Sequence, residues 1–120
     1  MNIFKSTLLL ITILFSACSV TQSRFTYLDA KYPSLSENAE IEVFQTGAPS
    51  RAFTKVARLD VHLEKTYFAS SSLKEALPEL KKQARRAGAN AITDIHERTS
   101  KIGETMIYHV TATGIRYSEN

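Results

Sequence analysis

The sequence predicts a small α+β domain: one helix packed on one face of a largely antiparallel, four-stranded sheet, in the order β-β-α-β-β. Three observations carry this. Residues 54–65 give the clearest strand, with Ala57, Leu59, Val61 and Leu63 on one face and Arg58, Asp60, His62 and Glu64 on the other. Residues 72–88 show an apolar stripe at helical spacing between a capping serine and a closing glycine. Residues 106–117 are rich in β-branched and aromatic side chains, as a long strand requires. A period-two pattern with one polar face belongs to a sheet covered on one side only.

The chain has 120 residues, room for a single domain. It divides by composition into an export signal over residues 1–17, a polar tether that starts at Cys18 and runs over residues 18–39, and the folded domain over residues 40–118. Leu8 to Phe15 is an apolar run of eight residues behind a single positive charge, Lys5. A run so short cannot cross a hydrocarbon core about 30 Å thick, but it fits the apolar region of an export signal. Ser16 and Ala17 then precede Cys18, the one cysteine of the chain. A lone cysteine excludes an internal disulfide, a Cys-x-x-Cys pair and a multi-cysteine zinc site.

Within the folded part, Ile41 and Val43 alternate with Glu40 and Glu42 as a short half-buried strand, and Thr46 to Ser50 turn the chain. Ser72 and Glu75 have the spacing of a capping box. Leu73, Ala76, Leu77, Leu80, Ala84 and Ala87 form the stripe, and Gly88 supplies the left-handed stop. Pro78 removes one helical hydrogen bond, so a kink or a loosened first turn is expected there. A strand over residues 91–97 and a turn over 99–104 lead to the final strand. A core drawn from about 80 residues is marginal, and self-association or a partner would help it.

Two resemblances add to this reading. Leu14-Phe15-Ser16-Ala17-Cys18 resembles the lipobox of bacterial lipoproteins, which implies cleavage after Ala17 and acylation of Cys18. Ser19 behind the cysteine, by the same resemblance, implies the outer membrane with the domain on its periplasmic side. The helix exit, Leu80-x-x-x-Ala84-x-x-x-Gly88-Ala89-Asn90-Ala91-Ile92, and the ending Val110-Thr111-Ala112-Thr113-Gly114-Ile115-Arg116-Tyr117 resemble the YbjQ-like small domains. They also resemble the related domain of the outer-membrane lipoprotein that senses envelope stress for the Rcs phosphorelay. The likeness spans about residues 41–117 and implies fold and envelope placement.

Charge and motif content narrow the function. The formal charge is +3, and cleavage would remove only Lys5, so the chain lacks the basic footprint of a nucleic-acid binder. No Gly-x-Ser-x-Gly elbow flanks Ser70–Ser72, and the glycines are too scattered for a phosphate-cradling loop. The expectation is a non-enzymatic binding or sensor module without a cofactor, anchored to the membrane through Cys18 and facing an envelope protein partner. A self-associating structural lipoprotein and a metal-binding domain are the alternatives. Two sets of side chains are candidates for contact. Lys81, Lys82, Arg85 and Arg86 form a basic helix face suited to anionic headgroups or an acidic partner. His62, His96 and His109, with carboxylates nearby, are weak candidates for a zinc or copper site.

Overall fold

The computed structural model describes residues 20–66 and 69–119, with side chains from Gln22 onward; the signal segment, Ala17 and Cys18 lie outside these residues. The elements are β1 (Val20–Tyr27), β2 (Glu42–Val43), β3 (Phe53–Thr66), α1 (Leu73–Ala87), β4 (Ala91–Ile102) and β5 (Thr105–Tyr117). They form one sheet in the order β1-β3-β5-β4-β2. Every pairing is antiparallel except the short β2–β4 contact, which is parallel. The α+β class and the β-β-α-β-β core are as the sequence predicts, with a fifth strand at the edge. Among the described residues no helix is long and apolar enough to cross a membrane.

The extra strand is built from residues read above as tether. Val20–Tyr27 pairs along its whole length with β3, from Glu64 back to Ala57. Phe25 and Tyr27 pack against the main core, edge to face with ring centroids 5.3 Å apart. As an edge strand it exposes most of its polar side chains, which hides its period from composition. The following residues are also tied down. The Leu35 amide donates to the Arg85 carbonyl, and the Ser34 hydroxyl donates to the Arg86 carbonyl. The folded unit therefore includes β1 and the segment after it, ahead of the boundary expected at residue 40.

The core lies between the sheet and α1. Leu59, Val61, Leu63, Val110 and Ala112 point up from β3 and β5 to meet Ala76, Leu80, Ala84 and Ala87 of the helix. Each buried leucine or valine of this set contributes about 1.5–3 kcal/mol of transfer free energy. At the far end of the sheet the opposite face is covered as well. Beyond the bulge between Lys55 and Ala57 the phase of β3 inverts. There Ala91, Ile115 and Tyr117 pack with Phe44 and Phe53 in a second, smaller cluster. The single-sided sheet expected from residues 54–65 is thus true of the middle and near end only. Tyr117 donates to Glu42 at 2.7 Å across this end. Burial, and then that hydrogen bond, push its phenol up to about 12.

The helix begins at Ser72 and ends at Gly88, as read, but not by the expected capping box. The Ser72 side chain makes no cap hydrogen bond, and Glu75 instead reaches Lys65 at 2.7 Å, fastening α1 to the end of β3. The helix continues through Pro78, which sits on its exposed side. Gly88 is left-handed, with φ of 82°. A Cβ there would stand 2.6 Å from the Pro33 carbonyl oxygen and 2.7 Å from Tyr32 Cβ, so the segment after β1 closes directly over it. Gly47, equally left-handed at φ of 72°, faces open space. Gly88→Ala should therefore cost more than the ~1–2 kcal/mol of left-handed backbone strain alone, whereas Gly47→Ala should cost no more than that. Urea unfolding of the two variants checks the difference.

Candidate functional site

The polar side chains of β3 find their neighbours through strand register. His62 stands opposite His109, and Asp60 opposite Thr111. On the next strand His109 faces Arg98 and Thr111 faces His96. On the other flank His62 meets Gln22 and Asp60 meets Arg24. Two rows result on the face away from α1: Gln22–His62–His109–Arg98 and Arg24–Asp60–Thr111–His96. All three histidines of the sequence thus share one face, which their separation in the chain concealed.

A β-bulge brings β4 into this arrangement. The register shifts between Thr93 and His96, so two residues of β4 oppose one of β5. Asp94 absorbs the extra residue with φ of 52°, a left-handed conformation that aspartate tolerates better than most residues. Without the insertion His96 and Arg98 would fall on the helix side. With it they turn to the open face, the re-aiming that bulges perform. Strand β4 also continues to Ile102, past the expected end at residue 97, because it pairs with β5 up to the Gly103–Glu104 turn.

Hydrogen bonds set the chemistry of the histidines. His109 Nε2 lies 2.8 Å from Asp60 Oδ1, and His62 Nε2 lies 2.8 Å from Glu64 Oε1. The two imidazole centroids are 5.9 Å apart. Arg98, a donor only, approaches His109 Nδ1 at 3.4 Å. A neutral His109 with its proton on Nε2 satisfies both contacts, donating to Asp60 and accepting from Arg98. Asp60 is itself fixed from behind by Gln83, a buried residue of α1. The Gln83 amide accepts from the Asp60 N–H at 3.0 Å, donates to the Asp60 carbonyl at 2.8 Å, and donates to Ser23 Oγ at 2.6 Å. Sequence reasoning missed Gln83, although a polar residue in phase with Ala76, Leu80 and Ala87 was a readable signal.

The basic helix residues are arranged differently. Lys82, Arg85 and Arg86 line a groove of about 600 Å³ between α1 and the segment after β1, together with Glu37 and Glu79. Arg85 is partly committed there, donating through Nε to the Ala39 carbonyl at 2.8 Å. Lys81 is not among the lining residues. The groove is mixed in charge, not the purely basic face that the sequence presents.

One comparison with known proteins is informative. Residues 64–115 match the YbjQ family model, whose description reads "Putative heavy-metal-binding". That stretch is YbjQ-like. It takes in α1, β4 and most of β5, and it leaves out Asp60 and His62. No curated protein and no solved structure matches the chain. The donor types on the open face, imidazole and carboxylate, suit zinc or copper, but their geometry does not. His62 Nε2 and both nitrogens of His109 are already engaged, and no group of three metal-ligating side chains converges among the described residues.

The helix-to-site connection is directly testable. Gln83→Met keeps the volume but strips the Asp60 N–H and C=O of their buried partner. It should lower stability by about 1–3 kcal/mol per orphaned group, read by urea unfolding. The same variant should also shift the His109 ring signals in NMR spectra.

Proposed function

We propose that this chain is a lipid-anchored, non-enzymatic binding or sensor module of the bacterial envelope, with the open face of its sheet as the binding surface. The observation that carries the reading is the pairing of His62 with His109, each holding a carboxylate, on a face that α1 leaves uncovered. A helix that seals one face of a sheet and an ordered polar array on the other is the layout of a domain that meets something. The lipobox-like residues before Cys18 support the anchor, and Ser19 behind the cysteine supports placement at the outer membrane. A diacylated cysteine gives stable attachment, because two chains are needed where one binds only marginally.

Metal binding is the second reading, favoured by the description of the matched family. It requires His62 and His109 to swing away from Glu64 and Asp60, so any site would form on binding.

Two measurements separate these statements. Full-length chain produced in bacteria should carry a palmitate label and sediment with membranes, and Cys18→Ser should abolish both. Retention of the label in that variant would overturn the anchoring. Equilibrium dialysis with zinc and copper should show a difference between the wild type and a His62, His96, His109 triple alanine variant if the second reading holds. Equal binding would remove it.

A further inference from the structure

The open face is not uniform, and its β4–β5 half has a chemistry distinct from that of the histidine pair. A groove of about 260 Å³ there is lined by Arg58, His96, Glu97, Arg98, His109 and Thr111. It adjoins a second of about 210 Å³, lined by Arg58, Asp94, His96 and residues 111–113. Arg58 comes from β3 and His96 and Arg98 from β4, so the three cross over β5 from opposite sides with Thr111 as the floor between them.

The donors in this groove are largely unspent. Arg58 and His96 engage no partner among the described residues. Among the described residues Arg98 makes only the long contact to His109, which leaves most of its five N–H donors unspent there. The nearby acids, by contrast, are mostly occupied. Asp60 accepts from His109, and Glu97 accepts from the Tyr108 hydroxyl at 2.6 Å. Burial and then that Glu97 contact hold the Tyr108 phenol protonated well above its ordinary range. Among the described residues, Asp94 alone of these acids stands exposed and without a partner at the rim. Two guanidinium groups flanking a hydroxyl and a free imidazole form a fork for the anionic oxygens of a tetrahedral phosphate.

We infer that this groove is a phosphate-binding site, in which Arg58 and Arg98 clamp the anion, Thr111 donates from the floor and His96 closes the side. The larger groove beside α1 is the poorer candidate, because Glu37 and Glu79 line it and Arg85 is committed to a backbone carbonyl. The same clamp explains why the histidine pair is a poor cation site: Arg98 sits against His109. The phosphate comes from a lipid headgroup or from a free phosphate compound, and the site chemistry is shared by both.

The test uses the full-length lipidated chain in detergent micelles, with histidine ring signals read by NMR. Inorganic phosphate should shift His96 and His109 saturably. Arg58→Gln combined with Arg98→Gln should weaken that binding by a factor of ten or more, as expected for lost charge-assisted hydrogen bonds. Lys82→Gln with Arg86→Gln, in the other groove, should leave it unchanged. Thr111→Val provides a milder variant that preserves every charge and should weaken binding several-fold. Short-chain phosphatidylglycerol, titrated against short-chain phosphatidylcholine, identifies the source. Arginine-dependent shifts with the former assign a headgroup, and shifts with phosphate alone assign a soluble compound. Absence of shifts with either anion, or affinity indifferent to the arginine and threonine variants, would overturn the site. The lipid anchor at Cys18 stands or falls separately, on the palmitate label.

Discussion

Strand β3 has two incompatible faces, and the rest of the molecule is arranged around that division. Its odd positions from Leu59 to Leu63 are buried, whereas Asp60, His62 and Glu64 remain partly open to solvent. The apolar face must be covered, since each of these side chains gains on the order of 2 kcal/mol by leaving water. Helix α1 does the covering, with small residues at Ala76, Ala84 and Ala87 that let it lie close against the sheet. The polar face is then left facing outward, flanked by β1 on one side and by β5 and β4 on the other. Register alone decides which side chains meet there, because a one-residue slip would exchange the faces.

That dependence makes the bulges and Gln83 functional parts of the fold. The shift at Lys55–Ala57 lets one end of the sheet be sealed on both faces while the other end stays open. The shift at Thr93–His96 adds His96 and Arg98 to the open face at the cost of a left-handed Asp94. Gln83 reaches through the helix–sheet interface and holds both backbone groups of Asp60, which in turn orients His109. The core is therefore continuous with the surface array through one side chain. A change beneath the sheet has a direct route to the histidines above it.

Strong periodicity is legible in the sequence itself. The alternation of residues 54–65, the stripe of α1 and the stop at Gly88 all appear where the sequence predicts them, because each reports a local preference. Strand β1 was hidden, since Ser23 on its inner side bonds Gln83 and only Phe25 and Tyr27 mark it as apolar. The Ser72–Glu75 capping box does not form because Glu75 has a stronger electrostatic partner in Lys65 across a tertiary contact. The site itself was half visible: His62 and its flanking acids lay on a recognisable face. That His109, Arg98 and His96 join it depends on pairings between strands far apart in sequence and on a bulge whose extra residue no local pattern announces.

The central claim is that the open face, and not the basic side of α1, is the surface this protein presents to its surroundings. Hydroxyl-radical footprinting of the full-length chain, compared between native envelopes and detergent micelles, tests it most directly. Protection in the envelope at His62, His96 and His109, with the groove beside Lys82 and Arg86 labelled equally in both settings, is the predicted result. Protection confined to the α1 groove, with the three histidines equally labelled in both, would contradict it.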